Sequence, residues 1–306
     1  MTIIDVCGTF SSDEKCREFL ERLRWPEGPQ CTRCKTRELA RLNAKLLYCK
    51  ECDYQFSVLS GTIFHDTHLS LIKWFATTFL LCEAKKSISA HQIHRTLGMS
   101  YKTAWYLCHR IRKAVSTAER TMLSGTVEMD ETFIGGVKRG IGQRRAKEAK
   151  EIVIGIRQRG GDLRFFHADD VKSGTLAKYI KENISTDVDL LVTDDFNAYQ
   201  KAVGQVKHET VNHTGKEYVR YTPDVTIHTN TAESAFSLLN RAIVGSWHKI
   251  SAKHLPKYLA EMEFRFNRRK NPNLFVDTLR HMITADPLTF ENLTAEPDPE
   301  FDKVPA

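Results

Sequence analysis

Two Cys-x-x-Cys pairs, Cys31 with Cys34 and Cys49 with Cys52, constrain this chain more than any other feature. Zn²⁺ takes four soft ligands in a tetrahedron, and each Cys-x-x-Cys turn aims two thiolates at one ion. The 14 residues between the pairs are one short of the usual span, a departure that a hairpin absorbs. With all four ligands from protein, no coordination position is left for a substrate. The ion is therefore expected to be structural, replacing a core that residues 25–60 are too few to build. Cys7, Cys16, Cys82 and Cys108 stand alone, mostly on apolar helical faces, and read as small core residues.

At 306 residues the chain has room for at least two folding units. Its net charge of +7 arises from 45 Lys and Arg against 38 Asp and Glu, and the basic residues cluster, which points to a polyanionic partner. No 18-residue apolar run exists, so no membrane span is expected. The start MTIIDVCGTF has no secretory pattern, and the cysteine usage suits a reducing cytoplasm.

Hydrophobic period divides the chain into four parts. Residues 1–66 hold a short helix over 12–24 and the ribbon. Residues 67–120 read as three helices, striped by Ile72, Phe75 and Phe79, then Ile93 and Leu97, then Ala104, Cys108, Ile111 and Val115. Ser89 and Gln92 make a capping pattern, and Gly98-Met99-Ser100 makes a turn, which together resemble a helix-turn-helix. On the third helix, Lys102, Arg110, Arg112 and Lys113 are expected to project away from the stripe as DNA contacts. Residues 121–285 change to strands, a helix near 172–183, the strand DLLVTD and two further helices, the order of an α/β sheet domain. Residues 286–306, with six acids and one Lys, read as a disordered tail.

Asp130 in VEMDETFIGG and Asp194 in LLVTD each stand near the end of a strand. A carboxylate there needs a cation beside it, and two on neighbouring strands point to divalent metal, with Mg²⁺ the natural occupant. Glu233, in the first turn of a helix starting near Thr229, is placed to complete the site. Such a trio suits in-line attack on a phosphodiester. By spacing alone Glu128, Glu131 and Asp195 compete for the same roles, and an acid in a first helical turn also favours the helix dipole.

With these blocks in view the chain resembles the IS1595 family of insertion-sequence transposases, also described as ISXO2-like. The resemblance runs from about residue 12 to 270 and includes YCKECDYQFSVLSGTIFHDT, VEMDETFIGG, TDDFNAY, VNHTGKEYV and HTNTAESAFSLLNRAIVGSWHKIS. It implies an RNase H-like core, a mixed sheet flanked by helices, behind the zinc ribbon and the helix-turn-helix-like segment. It implies a DDE site of Asp130, Asp194 and Glu233 with Mg²⁺ or Mn²⁺, hydrolysis at the terminal repeats, and joining of the 3′-hydroxyls to target DNA. Family members carry Glu or Asn at the third position, which leaves Asn230 as the other candidate, and the lysine often found seven residues on is Asn240 here. Arg241 or Lys249 then stands in as the contact to the DNA end. Lys138, Arg139, Arg144, Arg145, Lys147 and Lys150 are further phosphate-contact candidates. Paired element ends imply a homo-oligomer on DNA, in the bacterial cytoplasm at the nucleoid. The competing readings are a DNA-binding regulator that has lost catalysis and a metal-dependent nuclease that cuts branched DNA without joining it.

Overall fold

The computed structural model describes residues 1–116, 120–135, 150–213 and 215–295. The stretch carrying Lys138 to Lys147, and the last eleven residues of the tail, lie outside them. The chain forms two compact units, the first of residues 1–118 with 268–306 and the second of residues 119–267.

In the first unit, α1 (Ile3–Thr9) and α2 (Asp13–Arg24) precede the ribbon, a three-stranded antiparallel sheet of β1 (Leu39–Arg41), β2 (Leu47–Cys49) and β3 (Gln55–Phe56). Three helices follow: α3 (Leu71–Glu83), α4 (Ala90–Leu97) and α5 (Tyr101–Ser116). The Ser89 hydroxyl accepts the Gln92 N–H at 3.1 Å, satisfying an orphan donor of α4, and Gly98 ends that helix at φ +58, a left-handed conformation glycine adopts without strain.

The second unit is built on a mixed five-stranded sheet. Its strands are β4 (Thr126–Ile134), β5 (Glu151–Gln158), β6 (Leu163–Ala168), β7 (Leu190–Asp194) and β8 (His208–Val211), in the spatial order β6-β5-β4-β7-β8. The first three pair antiparallel, whereas β4–β7 and β7–β8 are parallel. Between and after these strands lie α6 (Ser173–Asn183), α7 (Asn197–Ala202), the short hairpin β9 (Arg220–Tyr221) and β10 (Thr226–Ile227), α8 (Asn230–Ala242) and α9 (Leu255–Asn267). Strand period 2 supplies two cores, one on each face of the sheet. Val127, Met129, Ile154 and Ile156 pack with Leu176 and Ile180 of α6 and Tyr199 of α7. Val153 and Phe165 pack with Ala235, Phe236 and Leu239 of α8 and Leu259 and Met262 of α9. Helices on both faces explain why EIVIGIRQ is apolar rather than alternating. This is the α/β, RNase H-like arrangement expected behind a zinc ribbon.

The chain then returns to the first unit as α10 (Leu274–Thr284) and α11 (Phe290–Thr294). Phe275, Leu279 and Met282 enter the same core as Phe75 and Phe79 of α3. The expected boundary at 285 therefore does not coincide with the compact units, which change over at 268. Residues 286–295 are also ordered: Leu288 and Leu293 are buried, and the Thr289 hydroxyl caps α11 by accepting the Asn292 N–H.

Candidate functional site

The ribbon brings together Cys31, Cys34, Cys49 and Cys52, whose sulfurs all lie within 4.8 Å of one another. The Cys31–Cys52 and Cys34–Cys49 sulfur separations are 3.7 and 3.4 Å. A tetrahedral Zn²⁺ with its usual bond lengths needs sulfurs about 3.8 Å apart. The donor set fits structural Zn²⁺, and the Arg33 N–H, 3.4 Å from the Cys31 sulfur, supports thiolate charge there. Cys16, Cys82 and Cys108 are buried, while Cys7 is exposed. Among the described residues, no other group of three or more His, Cys, Asp or Glu ligand atoms is drawn this close together.

The carboxylates occupy one end of the second sheet. On parallel β4 and β7, Glu128 stands opposite Val192, so two residues further on Asp130 is level with Asp194. Glu233 is in the first turn of α8, on the side of the sheet that Asp130 faces. Together Asp130, Thr132, Glu233, Ser237, Asn240 and Arg241 line a cleft of about 560 Å³. Asn230 is exposed at the start of α8 and is not part of that lining.

The Asp130 carboxylate accepts one hydrogen bond, from the Glu131 N–H at 2.8 Å. Burial pushes its pKa up to about 7, the negative charges of Glu131, Asp194 and Glu233 push the same way, and the Glu131 N–H opposes them. Burial also raises Asp194, against the Phe196 N–H and the nearby His213. His213 Nε2 lies 3.3 Å from Glu233 Oε1 and 3.1 Å from the Thr229 hydroxyl. The charges of Asp194 and Glu233 both act on Asp130, and carboxylate oxygens are hard donors of the kind that Mg²⁺ and Mn²⁺ prefer.

The competing acids have partners of their own. Glu131 also borders the cleft, but its carboxylate is held by the Tyr199 hydroxyl, which donates to it at 2.7 Å. Asp195 accepts from the Asn212 amide at 3.2 Å. Glu128 is fully buried against the start of α8, taking the Thr231 and Ala232 N–H groups at 2.8 and 2.9 Å. Sequence reasoning missed the partners of Glu128 and the position of His213, although the blocks VNHTGKEYV and HTNTAES contain most of these residues.

The basic face expected on the third helix is corrected by the structure. Arg110 and Arg112, only 4% and 2% exposed, point into the first unit. Arg110 donates to the His65 carbonyl at 2.7 Å and lies over the rings of Trp74 and Tyr106. Lys113 donates to the Pro287 carbonyl at 3.0 Å, and Lys102 holds its ammonium 4.4 Å from the centre of the Phe290 ring. The returning residues 287–290 cover the side of α5 that local periodicity leaves to solvent. Among the residues that α4 and α5 do expose are His91, Gln92, Arg95, Tyr101 and Lys102, with the His91 and Tyr101 rings stacked 4.2 Å apart. Arg241, by contrast, is exposed in the acidic cleft, its Nε donating to the Ser237 carbonyl at 3.1 Å.

A four-cysteine ribbon joined to an RNase H-like sheet with acids at neighbouring strand ends defines a protein of the transposase class. A family model described as an ISXO2-like transposase domain matches residues 122–267, and one described as a transposase zinc-ribbon domain matches residues 11–55. The chain belongs to the ISXO2-like transposases of the IS1595 type, and so to a family that binds DNA. It is also 29% identical, across 84% of its length and 92% of the relative's, to a protein of Halobacterium salinarum described as an uncharacterized protein in transposable element ISH50. No helix among the described residues is long and apolar enough to cross a membrane.

Proposed function

We propose that this transposase cleaves DNA at the terminal repeats of its element and joins the freed 3′-hydroxyls to target DNA, using Asp130, Asp194 and Glu233 as the ligands of catalytic Mg²⁺ or Mn²⁺. The observation that carries the reading is Asp130: a carboxyl that lines a cleft with Glu233, level with Asp194 on the neighbouring strand, its proton affinity raised by burial and by the charges of Glu131, Asp194 and Glu233. Bound there, the divalent ions would generate the attacking oxygen nucleophile and stabilise the leaving 3′ oxygen. The chain's own contribution is to keep the acids at fixed places on strand ends and a helix turn, and to hold a phosphate in line. Arg241 suits the second role, since its guanidinium shares the cleft with Asp130 and Glu233. Glu233 rather than Asn230 is the third ligand in this reading, because it lines the cleft and its charge acts on Asp130. The exposed ends of α4 and α5, with Gln92, Arg95, Tyr101 and Lys102, take the place of the buried arginines as the surface for base contacts. Simultaneous handling of two element ends calls for at least two copies of the chain on DNA.

The test is cleavage and strand transfer by purified protein on duplexes carrying the element's own ends, with Mg²⁺ or Mn²⁺. Wild-type protein cuts and joins, and Asp130→Asn and Glu233→Gln bind the ends but lose at least a hundredfold in rate. Full activity in Asp130→Asn overturns the assignment. Binding without cleavage by the wild type itself points instead to a DNA-binding regulator.

A further inference from the structure

Helix α8 begins without a cap of its own: Thr229 precedes it, yet its side chain makes no capping hydrogen bond. The first N–H groups of a helix are orphan donors at the positive end of its dipole, and they draw an acceptor, best an anionic one. Here the acceptor comes from a strand about a hundred residues earlier. Glu128 Oε2 takes the N–H of Thr231 at 2.8 Å and of Ala232 at 2.9 Å, while Oε1 takes Arg159 Nε at 2.6 Å and lies 3.2 Å from His228 Nδ1. Arg159 extends the clamp, donating through Nη1 to the Thr226 carbonyl at 2.5 Å and through Nη2 to the His228 carbonyl at 2.8 Å. Thr226 and His228, in the stretch that leads into α8, are thereby tied through Arg159 to the same carboxylate.

Glu128 is two residues before Asp130 on one face of β4, and Ala232 is one residue before Glu233 on α8. Two hydrogen bonds to consecutive N–H groups fix the helix both along its axis and in rotation. We infer that Glu128 is a positioning residue: by capping α8 from within β4 it sets the separation of Asp130 and Glu233. The side chain is fully buried and does not line the cleft, so it acts through these two residues rather than on metal or DNA. The inference rests on the proposed metal-binding role of Asp130 and Glu233.

The test is Mn²⁺ titration of the full-length protein followed by electron paramagnetic resonance, on wild type, Asp130→Asn, Glu128→Gln and Arg159→Lys. The glutamine keeps the size of Glu128 but sets an amide NH₂ against donors. Loss of an outer partner of a metal ligand weakens binding about 10- to 100-fold, and that loss is expected for Glu128→Gln with zinc content and far-ultraviolet dichroism as in wild type. A merely structural role would lower the melting temperature equally with and without Mn²⁺ and leave the Kd of the folded protein unchanged; that result overturns the inference. If Glu128→Gln does not fold, Arg159→Lys is read in its place: weaker Mn²⁺ binding supports the clamp and wild-type binding overturns it. Failure of the underlying reading looks different, because Asp130→Asn would then match the wild type in Mn²⁺ binding.

Discussion

Asp130 makes the second unit sensitive to pH in a direction opposite to that of most carboxylates. Its pKa rises from about 4 in an unfolded chain to about 7 in the fold, so the folded state holds a proton the unfolded state has released. Stability is therefore full below pH 4 for this group and is lost as pH rises through 7. In protein treated to remove divalent ions but retaining ribbon zinc, urea unfolding at pH 8 is expected to give a stability lower by at most about 2 kcal/mol than at pH 5.5, because about 1.5 pH units of that interval lie below the pKa and each carries 1.36 kcal/mol. Asp130→Asn should flatten that dependence; an unchanged slope in the variant would assign it to other groups. Gly155 is the residue paired with Asp130 across β4 and β5. A Cβ there would stand 2.7 Å from the Phe236 ring of α8, so glycine is what lets the helix bearing Glu233 press against the sheet. Gly155→Ala is expected to cost roughly 1–3 kcal/mol by overpacking, measured by thermal unfolding.

At the level of elements, what the amino-acid string discloses depends on how far away the partner is. The ribbon is readable because two turns, each closed within four residues, state the whole ligand set. Strand ends at Asp130 and Asp194 are readable from apolar runs that stop at an acid. Glu128 and Glu131, which spacing alone leaves in competition with Asp130, are told apart from it only by their partners, the start of α8 and the Tyr199 hydroxyl. Helix α5 is the opposite case. Its basic residues look exposed by local period, but Arg110 is taken up by His65 and Trp74 from earlier in the chain, and Lys102 and Lys113 meet Phe290 and Pro287, which arrive more than 170 residues later. Arg110→Ala is accordingly expected to act on stability, lowering it by roughly 2–3 kcal/mol through loss of a buried hydrogen bond and ring contacts. Calorimetry should report that drop, while the affinity of the folded variant for DNA stays within twofold. Tenfold weaker binding at unchanged melting temperature would restore Arg110 to the DNA surface.

The whole molecule is an insertion: the sheet unit of residues 119–267 interrupts a first unit that needs both ends of the chain. The aromatic cluster of Phe10, Phe75 and Phe79 is completed by Phe275 of α10, with ring centres 5.8–6.1 Å away. A chain ending at Asn267 is expected to lose cooperative melting of the first unit and to be cut readily by protease within residues 1–116, while strands β4 to β8 remain protected. Retention of a protected ribbon and helices in that truncation would show the return helices to be dispensable.

Ribosomal synthesis gives this topology a temporal consequence. The ribbon and helices α1 to α5 leave the exit tunnel first, yet their core stays open until α10 has been translated, after the entire sheet unit. The sheet unit, continuous in the message, can finish earlier than the unit that begins the protein. A prematurely terminated product therefore never completes the aromatic core of its first unit, and a nonsense mutation in the 3′ part of the reading frame yields no fully folded N-terminal unit to compete with intact protein.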